Sequence, residues 1–354
     1  MTNKVFFTGA GFSKSINSTY PLLYDLTQRV TIKFEKDILG EYYRKNIAKK
    51  MQDNLEYLLT YLSTDLPWKD EKTKAMNKAL YVEITENIQK VFRELEIDIA
   101  TQTNFSEYNS LTKYIIDKNV QTITLNYDLM FEKLMQAYIP KYNNVRYFYN
   151  SIILNLNERY NPGKESAKEF GPHIIFRDWT NETHNQTDEK EYKPKDYPKI
   201  LKLHGSINWL YDPISPSNPI YCLDNLEDES NNNYGLTPYI IPPVLDKNGF
   251  YNNNILRGIW QQAHEFIKNA DEIYIIGFSF PPTDLSLKYL FQSALREKHD
   301  TKIYVINYDS KNDTQTTYES IFESSQLACN LDGNSWKYLG VDGFQKFIKE
   351  IINK

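Results

Sequence analysis

The sequence predicts an α/β protein: a Rossmann-like parallel sheet carrying a helical insertion that forms a smaller second module. Three observations predict it. Short apolar runs alternate with segments of helical periodicity, the pattern of strand, helix and returning parallel strand. The first run passes straight into a glycine pair. Five strand ends carry small or polar residues, and in a parallel sheet those ends share one edge.

Val5 to Thr8 opens the chain as a short buried strand leading into Gly9, Ala10, Gly11, Phe12 and Ser13. Pro21 to Phe34 follows as a helix, because Leu22, Leu26 and Val30 recur at helical spacing. Residues 37–110 read as the helical insertion, with Leu55, Leu58, Leu59 and Leu62 on one face and a second run through Ile84, Ile88, Val91 and Leu95. Strand character returns at Gln121 to Leu125 in VQTITLNYD, and LMFEKLMQAY after it is amphipathic and helical. Residues 143–199 are polar, with HNQTDEKEYKPKDYPK rich in charge and proline, and read as a surface excursion.

Ile200 to Leu203 is a third short strand, ending in His204, Gly205 and Ser206. The loop LEDESNNNYG then precedes YIIPPV. The last third gives a helix around Trp260 to Asn269, the strand EIYIIGFSF, a helix from Ser286 to Glu297 and the strand KIYVINYD.

Composition narrows the class. With 354 residues, 41% apolar and 25% charged, and with 28 Tyr and 18 Phe, the chain has ample material for a packed core. No apolar run approaches the roughly 18 residues of a membrane span. Polar Ser13 to Thr19 interrupt the N-terminal apolar stretch, so no secretory leader is expected and a cytoplasmic location fits. A net charge of −5 argues against a broadly basic nucleic-acid surface. The local cluster Arg44, Lys45, Lys49 and Lys50 reads first as a solvated helix face. Cys222 and Cys329 are too far apart for a CxxC pair, so neither a zinc module nor a disulfide framework is expected.

The strand ends carry the chemistry. They are Gly9 to Ser13, Asn126 with Asp128, His204 with Gly205, Gly277 with Ser279, and Asn307 with Asp309. Glycines after a strand let the backbone approach a phosphate, and a following helix N-terminus favours the anion. The same glycines also suit an ordinary tight turn, and Lys14 replaces the third glycine of GxGxxG. A hydride-transferring dinucleotide enzyme needs an acidic residue at the end of its second strand. Glu35 has the spacing but sits in a helical segment. Asn126 offers a donor and an acceptor without charge, or serves as a turn residue. His204 can take a proton from a hydroxyl or a water, with Gly205 keeping the space before it open, or it is a structural histidine.

The ordered motifs GAGFS, TLNYD, LHGS, GFS and INYD span nearly the whole chain and resemble the sirtuin superfamily, which binds NAD and breaks its nicotinamide–ribose bond. The resemblance implies one sirtuin-like NAD-binding domain over residues 1–354. It implies a pyrophosphate cradle at Gly9, Ala10, Gly11, Phe12 and Ser13, a ribose site at Asn126 and Asp128, and His204 as base. Gly277, Ser279, Asn307 and Asp309 would line the adenosine side. The protein-deacylating members carry two cysteine pairs and an Asp-Phe-Arg segment, and this chain has neither.

The missing zinc module, the helical insertion and the IIPP segment at 240–243 look instead like the bacterial sirtuin-like NAD hydrolases of antiphage defence. The expected function is therefore NAD hydrolysis to nicotinamide and ADP-ribose, with NAD as substrate and no metal. An NAD-dependent protein deacylase and a non-catalytic subunit that binds NAD or ADP-ribose are the alternatives. A homo-oligomer is expected, as is control by assembly or by an ATPase or nucleic-acid-guided partner.

Overall fold

The computed structural model describes residues 2–32, 38–99, 103–139, 149, 154–155, 198–212, 219–223, 226, 236–244, 247, 249–281, 284–296, 300–308, 313–322 and 336–353. Most of the expected surface excursion, together with Glu35, Asp309 and Cys329, lies outside the described residues.

The strands are β1 (Lys4–Thr8), β2 (Gln121–Thr124), β3 (Leu154–Asn155), β4 (Ile200–Lys202), β5 (Gly205–Tyr211), β6 (Ile220–Cys222), β7 (Thr237–Ile240), β8 (Glu272–Ile276), β9 (Lys302–Ile306) and β10 (Trp336–Leu339). Six form one sheet in the order β10-β9-β8-β1-β2-β4, and every pairing in it is parallel. Numbered among themselves along the chain, these strands read 6-5-4-1-2-3, the doubly wound order of dinucleotide-binding folds. The direction of winding reverses between β1 and β8, so the crevice of such a fold opens there. One row of paired residues, Leu339, Ile306, Ile276, Thr8, Thr124 and Lys202, crosses all six strands and marks the carboxyl edge.

The sheet strands are apolar on both faces because helices cover both. Phe6, Phe7, Ile123, Ile273, Ile275, Ile303 and Val305 are buried, each such side chain contributing about 1.5–3 kcal/mol relative to exposure. The helices are α1 (Ala10–Ile16), α2 (Leu23–Thr31), α3 (Ile38–Asn46), α4 (Lys49–Gln52), α5 (Leu55–Ser63), α6 (Glu71–Ile99), α7 (Asn109–Asp117), α8 (Met130–Tyr138), α9 (Asn254–Lys268), α10 (Leu285–Leu295), α11 (Asp313–Phe322) and α12 (Gly343–Phe347).

The helical insertion contains α3 to α6. Asn54 caps α5 by accepting from the Glu56 and Tyr57 amides, which satisfies two of the orphan N–H groups at its start. Helix α6 runs 29 residues without glycine or proline, and buries Leu80, Ile84, Ile88 and Val91 at helical spacing.

A second sheet, in the order β3-β6-β5-β7, was not legible as a sheet from the sequence. Strand β5 starts at Gly205, immediately after His204, and pairs antiparallel with β6 and β7. YIIPPV therefore supplies part of β7 and of the loop that follows it. Gly205 also differs from its expected role. It has a φ of +77°, and a Cβ there would meet the Tyr239 carbonyl oxygen at 2.3 Å, so the glycine permits strand pairing and not an open space before His204.

Candidate active site at the carboxyl edge of the sheet

The two loops at the reversal point are packed against each other. Gly277 leaves β8 with a φ of +65°, and a Cβ on it would lie 2.2 Å from the Phe12 nitrogen. Gly9 and Gly11 would clash with Gly277 in turn, at 2.8 and 2.7 Å. The Gly11 amide donates to the Gly277 carbonyl at 2.9 Å, and the Phe12 amide to the Gly9 carbonyl at 2.9 Å. Close loop packing thus accounts for all three glycines and occupies the Gly11 amide, while the Phe12 amide is bound within the first turn of α1 itself. Ala10 is exposed at the same turn, whereas the Phe12 ring is buried between Phe131 and Phe344.

Beside this crossing, Asn126 lies two residues beyond the edge row on β2. Its Nδ2 donates to the Gly9 carbonyl and to Ser13 Oγ, both at 3.0 Å. The Ser13 hydroxyl donates onward to Asp128 Oδ1 at 2.9 Å, which also accepts from the Met130 amide at 3.1 Å. Both protons of the Asn126 amide are thereby committed, which fixes the amide's orientation and leaves Oδ1 as its group able to meet a ligand. Ser13 belongs to this chain of hydrogen bonds, directed inward beneath Asn126. Burial, reinforced by the nearby Glu96 carboxylate, pushes Asp128 up to about 7.

A buried polar layer supports these groups from below. Glu96 of α6 accepts from the Tyr20 hydroxyl at 2.6 Å and from the Leu129 amide at 2.9 Å, and is paired with Lys133. Lys202, with 0% of its side chain exposed, donates to the Asp128 carbonyl and to Glu132 Oε1, the latter at 3.0 Å. The Tyr149 hydroxyl donates to the same Glu132 oxygen at 2.7 Å. None of Glu96, Lys202 or Glu132 was singled out in the sequence, where a lone charge in a helix or strand gives no sign of burial.

His204 lies two residues beyond the edge row on β4, in register with Asn126 because Thr124 pairs with Lys202. It is buried, and its Nε2 has no hydrogen-bond partner among the described residues. Its carbonyl accepts from the Ile241 amide at 2.8 Å, and the Tyr127 hydroxyl donates to the Ile241 carbonyl, so the backbone here is fixed from two sides. Trp260 of α9 flanks the imidazole with ring centroids 6.5 Å apart, while its indole N–H donates to the Leu203 carbonyl at 3.1 Å. Burial, then the Lys247 ammonium, hold His204 down at about 4, while the Asp284 carboxylate acts in the opposite direction. At neutral pH it is an uncharged imidazole.

On the far side of the crossing, Ser279 is exposed. Asn307 donates from Nδ2 to the Phe278 carbonyl at 3.2 Å and accepts from the Tyr308 amide at 2.9 Å, which ties the β8 and β9 exits together. The structure thus brings Gly9, Ser13, Asn126 and Asp128 into one bonded group and places His204 on the adjacent strand. Gly277 joins that group through Gly9 and Gly11. Among the described residues, no group of three or more His, Cys, Asp or Glu side chains could hold a metal ion.

No protein-family model matches this chain, and no curated protein matches it. Solved structures do resemble it in shape. A Sir2 bound to acetylated peptide aligns over 99% of this chain and 92% of its own, with a TM-score of 0.41 and 11% identity. A Sir2 homologue mutant in complex with ADP-ribose aligns over 89% and 84%, with a TM-score of 0.41 and 12% identity. A Sir2 with a p53 peptide and NAD+ aligns over 99% and 92%, with a TM-score of 0.39 and 12% identity. These values mark a distant resemblance in three dimensions.

Proposed function

We propose that this protein hydrolyses NAD at the nicotinamide–ribose bond, releasing nicotinamide and ADP-ribose. The observation that carries the reading is the buried Nε2 of His204, without a hydrogen-bond partner among the described residues, at the end of the strand next to the one that leads into Asn126, on the carboxyl edge of a doubly wound sheet. A buried nitrogen without a partner is costly to a fold, on the order of 1–3 kcal/mol, and calls for a water, an ion or a ligand to complete it. The strand order supports a dinucleotide as that ligand.

Loss of neutral nicotinamide from C1′ builds positive charge on the ribose ring and needs little covalent assistance. The chain's task is to hold the ribose, exclude bulk water and place one nucleophilic water. Asn126 Oδ1 would accept from a ribose hydroxyl or from that water, with Ser13 and Asp128 fixing the amide behind it. His204 would receive a hydrogen bond from a ribose hydroxyl or from the water. A base held at about 4 is always in its accepting form at pH 7 but is weak, so its contribution is chiefly positional.

We carry the rest of the reading with it: a cytoplasmic, homo-oligomeric, NAD-depleting effector in antiphage defence, held in check by its assembly state or by a partner. The lack of cysteine pairs, the helical insertion and the IIPP segment at 240–243 support the defence role, and the need to restrain an NAD-depleting activity supports control by assembly or a partner. Incubation of the purified protein with NAD, with and without an acetylated peptide, followed by chromatography of the products, tests it. Nicotinamide and ADP-ribose formed without peptide is the expected result. Turnover only with peptide would make it a deacylase, and intact bound NAD a non-catalytic subunit. His204→Ala and Asn126→Ala should each reduce hydrolysis at least roughly a hundredfold.

A further inference from the structure

The β2–β4 ladder stops short of the residues it leads to. Its last paired row is Thr124 with Lys202, closed by the Leu203 amide on the Thr124 carbonyl at 3.0 Å. Past that row the strands part: β2 runs on into the loop before α8, while Gly205, with its φ of +77°, turns the other segment into β5 and the second sheet. Strand pairing therefore does not set how Asn126 and His204 stand to each other. Other bonds cross the gap. Lys202 Nζ donates to the Asp128 carbonyl, Ser206 Oγ donates to the Tyr127 carbonyl at 3.3 Å, and the Ile207 amide donates to that same Tyr127 carbonyl at 3.0 Å. The acceptors are the carbonyls directly after Asn126, and the donors stand on both sides of His204. Tyr127 is held at its other end as well, its hydroxyl donating to the Ile241 carbonyl while the Ile241 amide donates to the His204 carbonyl.

Both side chains exceed what the fold alone asks of them. The Tyr127 carbonyl already holds the Ile207 amide, so the buried Ser206 hydroxyl is not needed to satisfy it. Lys202 is a fully buried cation, and a buried ion pair such as its contact with Glu132 Oε1 returns about what burying it costs. An apolar pair would fill the same space, but it would lose the reach to the Asp128 carbonyl. We propose that Lys202 and Ser206 are positioning residues, clamping the loop that carries His204 to the loop that carries Asn126 and so setting the span across which the ribose is held. This rests on the reading of Asn126 and His204 as the groups that hold the ribose and the water in NAD hydrolysis. A span fixed in advance needs no rearrangement during the reaction, and a misplacement of about 1 Å in such a site costs about a hundredfold in rate.

The test compares wild type with Lys202→Met/Glu132→Leu, which removes the grip on Asp128 without stranding a carboxylate, and with Ser206→Ala. Two quantities are read: kcat and KM for NAD, and the separation of Asn126 Oδ1 from His204 Nε2 in crystal structures of the three proteins. The double variant should lose about a hundredfold in kcat, with KM changed less than about threefold and the separation changed by about 1 Å. Ser206→Ala should lose about fivefold in kcat, the worth of one neutral hydrogen bond, with a smaller change in separation. A double variant that folds and turns over NAD like wild type overturns the proposal. So does a separation unchanged in both variants, whatever happens to kcat. If the double variant does not fold, Ser206→Ala decides by the same two readings. The separation needs no turnover: altered in the variants of a protein that leaves NAD intact, it keeps the clamp and refutes the hydrolase, whereas NAD cleaved at the wild-type rate across unaltered separations does the reverse.

Discussion

The two halves of the sheet's carboxyl edge are built on opposite principles. Around β1 and β8 the loop backbones bind each other: glycines interlock, the Gly11 amide is bound to Gly277, and the Asn307 carboxamide is bound to backbone on both sides, with Thr8 Oγ1 the buried hydroxyl there that finds no partner among the described residues. Around β2 and β4 polar capacity is left over, at Asn126 Oδ1 and at His204 Nε2, above a buried ionic layer. The first half is closed scaffolding whose conformation shapes a crevice, and the second keeps polar atoms free to meet a ligand or a water. Chemistry belongs where satisfaction is withheld.

Substitutions sharpen that contrast. The largest effect should come from beneath the chemical half. Lys202→Met leaves Glu132 buried beside a vacated cation site, and should cost about 3–5 kcal/mol in urea unfolding, with Lys202→Met/Glu132→Leu recovering most of it. A loss under about 1 kcal/mol would show the ionic layer to be incidental.

Next come two opposing dependences on pH. His204 is held near 4 in the fold against 6.5 unfolded, so between those values the unfolded chain binds more protons and stability rises with pH. Asp128 is held near 7 against 3.8, so over the same window the folded chain binds more protons and stability falls as pH rises. Each is worth on the order of 3 kcal/mol, and in the wild type they offset. His204→Ala should expose the falling slope and Asp128→Asn the rising one in denaturation midpoints measured from pH 4.5 to 6.5. Matching slopes in the two variants would contradict the assignment.

In the scaffold half, Gly277→Ala forces a left-handed backbone and a Cβ against Phe12, at roughly 2–4 kcal/mol. Its unfolding midpoint should drop, and full stability would mean that the loops separate easily. Smallest is Ser13→Ala, which removes the hydroxyl between Asn126 and Asp128. It should lower stability by about 1 kcal/mol and lower turnover more than it raises KM, since the amide of Asn126 loses an anchor.

Much of the fold was legible because the strands at its centre bury both faces and so read as continuous apolar runs. Val5 to Thr8 and Gln121 to Leu125 were found within a residue of their bounds, whereas EIYIIGFSF and KIYVINYD run past the strands, which stop at Ile276 and Ile306. The second sheet was not, since β3, β6 and β7 are only two to four residues long and the pairing of Gly205 with Ile240 joins distant segments. At the site, Asn126 and His204 were visible as polar residues at strand ends. Ser13 and the glycines were read as a pyrophosphate cradle; what the sequence did not show is the bond between Ser13 and Asn126 and the contact of the glycines with the Gly277 loop. Lys247 and Asp284 carried no signal at all, because a charge in a loop shows its burial only once the loops are placed.

Helix α6 adds a mechanical consequence. At about 1.5 Å per residue its 29 residues make a rod roughly 43 Å long, and no proline or glycine interrupts it as a point of flexure. Near one end Asn77 accepts from Tyr42 of α3, and near the other Glu96 stands behind Asp128. Tilting such a rod at its outer end swings its inner end through a comparable arc. A push on α3 or α5, which pack along it, would arrive at the Glu96 carboxylate as displacement, giving the insertion leverage over the proton balance of Asp128.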